Sequence, residues 1–200
     1  MLGRTHVSVG LTAGLGLIYF DQQILNPVSS LVPSDVIDVS ISDMIGRVLV
    51  VTGLLLAVAL GSLLPDIDSK KSTLGRHAPF VEEWLGHRGV THTIWALLIL
   101  GFVVWILPDP IQLFGWFLFM GYALHIFCDW LSRGGVDLLY PFGQGYEKYD
   151  SGAMIYKGFR PNLYRVGGSG ENFFYGLFRI ATIVLLILLI WSSIAPFFQG

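Results

Sequence analysis

The chain has 200 residues, 54% of them hydrophobic and 13% charged, with a mean hydropathy of +0.65 and a formal net charge of −2. A soluble domain carries about 25% charged residues, so this composition excludes an ordinary water-soluble globule and points to a membrane protein whose first partners are lipids. The single cysteine, Cys128, excludes an intramolecular disulfide and a cysteine-rich zinc motif, and the slight negative charge excludes a broad basic surface, so no nucleic acid is expected.

Apolar runs occur at residues 6–20, 46–64, 91–107, 111–130 and 178–198. Crossing a hydrocarbon core of about 30 Å takes roughly 20 helical residues, which predicts an all-α, multi-pass membrane bundle of about five spans. The first run is short and glycine-rich, weaker than the rest. A cleaved signal peptide is its rival reading, but Phe20-Asp21-Gln22 is a poor cleavage site. No internal repeat is visible and the length suits one domain, so residues 1–200 are taken as a single transmembrane unit.

Charge sets the orientation. The connections 65–90 and 131–177 hold Lys70, Lys71, Arg76, Arg88, Arg133, Lys148, Lys157, Arg160 and Arg165, with Arg4 and Arg179 flanking the first and last runs. Arg47 is the sole basic residue left for the other side, which carries Asp21, Asp35, Asp38, Asp43 and Asp109. Positive residues stay cytoplasmic, so the N-terminus and both basic connections are assigned to the cytoplasm and the C-terminus to the outside of the cell membrane. Residues 28–42 read as an external loop, and the glycine- and tyrosine-rich second basic connection as an irregular one whose aromatics lie at headgroup level.

On that topology His6, Asp66, Asp68, His87, His92, His125 and Asp129 all fall at the cytoplasmic edge. Histidines played no part in assigning the topology, so their arrival beside paired carboxylates is a separate coincidence that a shared metal site would explain. His125 and Asp129 stand i, i+4, one turn apart on one helix face. In Leu64-Pro65-Asp66-Ile67-Asp68 an extended continuation after the proline predicts both carboxylates on one side, where a cation would relieve their repulsion. Thr91 is the expected N-cap of the third helix. Each piece has a plainer reading: His6 as a structural hydrogen bonder, Asp66 and Asp68 as a solvated stop, Cys128 as a small buried residue. His77 reads as a loop residue outside the site, and Asp137 as a cap of the second basic connection.

Several of these pieces resemble the YdjM-like family, described as LexA-binding, inner-membrane-associated metal-dependent hydrolases. The matching segments are Thr5-His6, Pro65-Asp66-Ile67-Asp68, Ser72 through Gly75-Arg76, His87-Arg88-Gly89-Val90-Thr91-His92, Gly121 through His125 with Asp129, and Gly135-Val136 leading to Tyr140-Pro141-Phe142. They span residues 5–142, the expected hydrolase motif region. The resemblance implies a metal-dependent hydrolase with His6, Asp66, Asp68, His87, His92, His125 and Asp129 as metal ligands, Arg76 and Arg88 as polar companions, and a regulatory protein as a further partner.

Histidine and carboxylate donors without thiolate suit a divalent metal, zinc first and manganese or iron as alternatives, and seven ligands leave room for one or two ions. The expected reaction is hydrolysis of a phosphate ester, a phospholipid or lipid-linked phosphate, with Arg76 and Arg88 as catalytic anion clamps. Two rivals stand beside it: a metal-ion transporter, whose sites ordinarily sit nearer the bilayer midplane, and a regulatory membrane protein with a structural metal site.

Overall fold

The computed structural model describes residues 2–21, 39–70, 72–78, 80, 89–148 and 154–194, the side chains of 39–44 and 154 excepted. Among these residues the fold is all-α apart from one small hairpin. Its helices are α1 (Gly3–Phe20), α2 (Val39–Gly61), α3 (Ile94–Trp105), α4 (Ile111–Leu131) and α5 (Ser169–Ile194). Short 3-10 turns at Pro65–Asp68, Gly75–His77 and Val90–His92 connect α2 to α3, and β1 (Tyr146–Lys148) pairs antiparallel with β2 (Met154–Tyr156).

Among the described residues three stretches are long and apolar enough to cross a membrane: Ile45–Asp68, Ile111–Leu131 and Ser169–Ile194, of 24, 21 and 26 residues. Of the other two expected spans, one is short and the other, α1, is less apolar. The run at 91–107 contributes only the 12 residues of α3, about 18 Å of helix, because Val90–His92 forms a separate turn and Pro108 and Pro110 follow closely. Thr93, not Thr91, caps α3, its hydroxyl accepting a hydrogen bond from the Ala96 amide at 3.2 Å.

The 18-residue α1 rises about 27 Å and is an inner helix. Its buried residues Thr5, His6, Val9, Gly10, Gly14, Leu15 and Ile18 recur with helical period along the side that meets α2, α4 and α5. Leu15 and Ile18 join Val50, Leu54 and Val58 of α2, Phe117 of α4 and Leu189 of α5 in the main core. Lipid offers no hydrophobic drive for helices to associate, so close backbones and polar contacts must hold the bundle. A Cβ at Gly61 would lie 2.0 Å from the Leu118 carbonyl oxygen, and one at Gly121 would lie 2.2 Å from that of Val58. Only glycine allows α2 and α4 this approach. α5 docks on α1 through polar groups: Thr12 Oγ1 lies 2.8 Å from Thr182 Oγ1, and the Leu2 amide donates to Glu171 at 2.5 Å.

Candidate metal centre

Three pieces of chain bring their polar residues to one end of the bundle: the start of α1, the turns joining α2 to α3, and the last two turns of α4. Asp66, His92, His125 and Asp129 each offer a ligand atom there, all within 4.8 Å of one another. His125 Nε2 lies 3.5 Å from Asp66 Oδ1 and 3.9 Å from Asp129 Oδ2; His92 Nε2 lies 3.8 and 3.9 Å from the same two oxygens. These gaps are too long for hydrogen bonds. A tetrahedral ion with bonds of about 2.0–2.1 Å sets its donors about 3.4 Å apart, so the quartet is spaced as for an ion, slightly relaxed. Its two imidazoles and two carboxylates suit zinc, manganese or iron.

The outer nitrogens of both imidazoles are held in the state that ligation needs. His125 Nδ1 is 2.7 Å from the Ser62 carbonyl oxygen, which can only accept, so Nδ1 carries the proton and Nε2 presents its lone pair. Buried His125 Nε2 makes no hydrogen bond among the described residues. His92 Nδ1 lies 3.2 Å from Asp68 Oδ2 and 3.0 Å from Thr91 Oγ1, whose own hydroxyl donates to Asp68. This carboxylate–histidine pairing turns His92 Nε2 toward the centre. Burial lowers the His92 pKa and so favours the neutral, ligating imidazole, and the hydrogen bond to Asp68 opposes this only in part.

Asp68 therefore stands behind His92 rather than beside Asp66. The expectation of an extended segment is corrected here: Pro65 opens a 3-10 turn, and a turn does not keep residues i and i+2 on one side. Asp66 faces the centre while fully buried Asp68 supports it. Ser72 and Gly75 secure this turn. The Ser72 hydroxyl donates to the Asp66 carbonyl at 2.6 Å and accepts from the Gly75 amide at 2.8 Å, and a Cβ at Gly75 would lie 2.1 Å from the Ser69 carbonyl oxygen.

His6 adjoins the quartet. Its ring stacks on His125 at 3.7 Å and 13°, and its Nε2 lies 3.3 Å from Asp129 Oδ1 without the alignment of a hydrogen bond. Asp129 thus turns Oδ1 to His6 and Oδ2 to His92 and His125. Arg76 is exposed on the Gly75–His77 turn, its Nε donating to the Thr73 carbonyl at 3.2 Å, and His77 is exposed beside it. His87 and Arg88 lie outside the described residues. Asp137 organises the second basic connection, accepting from the amides of Leu139 and Gly145 at 3.3 and 3.0 Å. Exposure is uneven: Asp66 is 17% exposed, against 0–2% for His92, His125 and Asp129, so the centre is reached from the Asp66 side.

The residues that sequence reading missed are Ser62, which supports His125 through its carbonyl, and Glu171, which fixes the start of α1 by accepting from the Leu2 and Gly167 amides.

The family model described as "YdjM inner membrane protein" matches residues 1–197. Inner membrane protein YdjM of Escherichia coli (strain K12) is 36% identical over 95 residues, covering 41% of this chain and 46% of that protein; YdjM of Shigella flexneri gives the same figures. "Uncharacterized protein YvsG" of Bacillus subtilis (strain 168) is 35% identical over 88 residues, covering 42% of this chain and 54% of that protein. The matches thus take in about half the length of these relatives. No solved structure is matched.

Proposed function

The chain belongs to the YdjM inner membrane protein family and is a multi-pass inner-membrane protein, and from that premise we propose that it is a metal-dependent hydrolase acting on a phosphate ester at the cytoplasmic edge of the bilayer. The observation that carries this reading is the quartet Asp66, His92, His125 and Asp129, gathered within 4.8 Å and buried except at Asp66. These four residues would hold the ion, zinc first and manganese or iron as alternatives. His6 with Asp129 Oδ1 offers the start of a second position, which is what a bridging carboxylate provides. When bound, the ion supplies Lewis acidity and lowers the pKa of a coordinated water toward neutrality.

The chain's own residues do the rest. Ser62 and Asp68 hold the protons on the outer nitrogens of both imidazoles and aim the inner nitrogens inward, and the buried sides of the quartet exclude bulk water, which strengthens every charge interaction within. Substrate enters past Asp66. Arg76 stands on the turn that packs against the Asp66 turn, where an exposed guanidinium suits a phosphate oxygen by its planar fork. The ligands sit at the ends of spans, at headgroup depth, which favours a phospholipid or lipid-linked phosphate.

Near-complete burial of three ligands favours the rival of a regulatory protein with a structural ion, and one experiment separates the two. Protein purified in mild detergent is assayed for metal content and for phosphate release from phosphatidic acid and from a lipid-linked pyrophosphate. The reading expects bound metal near one or two equivalents and release that is lost with chelator and in Asp66→Asn. Bound metal without release from either lipid sinks hydrolysis of these esters and supports the structural role; absence of metal sinks both.

A further inference from the structure

At the opposite end of the bundle, where α2 begins and α5 ends, the helices leave a groove of about 380 Å³. Its walls are one face of each helix: Arg47, Val48, Val51, Thr52 and Leu55 on α2, and on α5 a matching stripe from Leu186 to Ile194. Both helices contain membrane-spanning stretches, so the groove opens to hydrocarbon rather than to water. Its volume lies within the range of about 300–1,000 Å³ typical of ligand sites.

We infer that this groove binds an anionic phospholipid of the outer leaflet, with an acyl chain between α2 and α5 and the phosphate on Arg47. The wall chemistry limits what else could fill it. Thr52 Oγ1 donates to the Val48 carbonyl at 2.7 Å and Ser193 Oγ to the Leu189 carbonyl at 2.9 Å, so each hydroxyl is satisfied by its own helix and the wall is effectively apolar. An acyl chain matches that wall. Neighbouring lipid tails match it equally well, so apolar fit alone selects nothing in a bilayer, and selection must come from charge. Arg47 supplies it: an exposed guanidinium on the groove wall, and the one basic residue that the charge pattern of the sequence assigns to this side. Among the described residues no carboxylate pairs with it. A guanidinium at headgroup depth takes a phosphate oxygen by two parallel hydrogen bonds, and each basic residue near a membrane surface favours anionic lipid by about five-fold. The site uses none of the metal-centre residues and does not depend on the hydrolase reading.

The test is retained lipid. The full chain is extracted in mild detergent from membranes of mixed phosphatidylglycerol and phosphatidylethanolamine, and bound lipid is counted by native mass spectrometry. The wild-type chain is expected to keep about one lipid, enriched in phosphatidylglycerol. Arg47→Gln should lose about five-fold of that preference, and Ser193→Trp, which fills the groove from α5, should lose the lipid with Arg47 intact. Arg47→Lys, which keeps the charge, should retain the preference, separating a headgroup reader from a merely structural arginine. Equal preference in wild type and Arg47→Gln overturns the proposal, as does lipid retained unchanged by Ser193→Trp. A photocrosslinker at Val51 that captures residues 22–38 or a second copy of the chain instead of lipid overturns it too.

Discussion

Gly121→Ala is expected to disarm the metal centre without touching a ligand. The new methyl group would lie 2.2 Å from the Val58 carbonyl oxygen and 2.8 Å from the Ser62 amide nitrogen, both backbone atoms that cannot swing aside. Normal contact is above 3 Å, so α2 and α4 must part by about 1 Å. The same movement acts on the 2.7 Å hydrogen bond from His125 Nδ1 to the Ser62 carbonyl, stretching it beyond useful range. The buried imidazole then loses what fixes its tautomer. Loss of such a supporting contact lowers metal affinity about 10–100-fold, while overpacking costs about 1–3 kcal/mol of stability. Zinc affinity by competition with a chromophoric chelator measures the first, and thermal unfolding in detergent the second. Gly176→Ala is the control, since a Cβ there meets nothing within 4 Å; it should leave affinity unchanged. Zinc affinity of Gly121→Ala within two-fold of wild type would refute the linkage from helix approach to His125.

Asp68→Asn should weaken metal binding about 10–100-fold and not abolish it, because Asp68 contacts the far nitrogen of His92, whereas Asp129→Asn should abolish it; equal losses in the two would put Asp68 among the ligands. Glu171→Gln is expected to cost about 1–3 kcal/mol by weakening charge-assisted bonds from the Leu2 and Gly167 amides, seen as earlier thermal release of α1 and, through His6, a perturbed centre. Metal removal by chelator should lower the unfolding midpoint, since an ion at a hundred times its dissociation constant adds about 2.7 kcal/mol, and readdition should restore it. An unchanged midpoint would show that the quartet holds no ion.

The sequence carried the centre's membership better than its architecture. His125 and Asp129 were readable because a four-residue spacing on an apolar helix leaves one geometry, and the joint position of His6, Asp66, His92 and His125 followed from the charge rule for topology. Asp68 was misplaced because proline both restricts the preceding residue and starts helical turns well, and local sequence does not say which effect wins at Leu64-Pro65. The length of α3 escaped for a similar reason: Thr91 and Thr93 are equally good caps in isolation, and the chain uses Thr93 because Val90–His92 is spent carrying His92 to Asp68. Ser62 could not be found at all, since the group that matters is a backbone carbonyl, which every residue has, 63 positions from its histidine. Glu171 joins the Leu2 amide across 169 positions, a pairing no local pattern announces.

These long-range supports explain why the site can exist at a bilayer edge. Ligands come from the turns between α2 and α3 and from α4, with His6 of α1 against them, and lipid gives these elements little reason to stay together. Without an ion, two carboxylates and three imidazoles crowd one buried space, an arrangement that disfavours its own assembly. The glycine contact of α2 with α4, the Ser62 bond and the Glu171 clamp on α1 oppose that tendency from outside the site, so the donors are held together by contacts that need no ion. A centre prepared in this way gains from an ion mainly the relief of its carboxylate repulsion, and its affinity should respond more steeply to the helix contacts than to any single exposed charge nearby, Arg76 included.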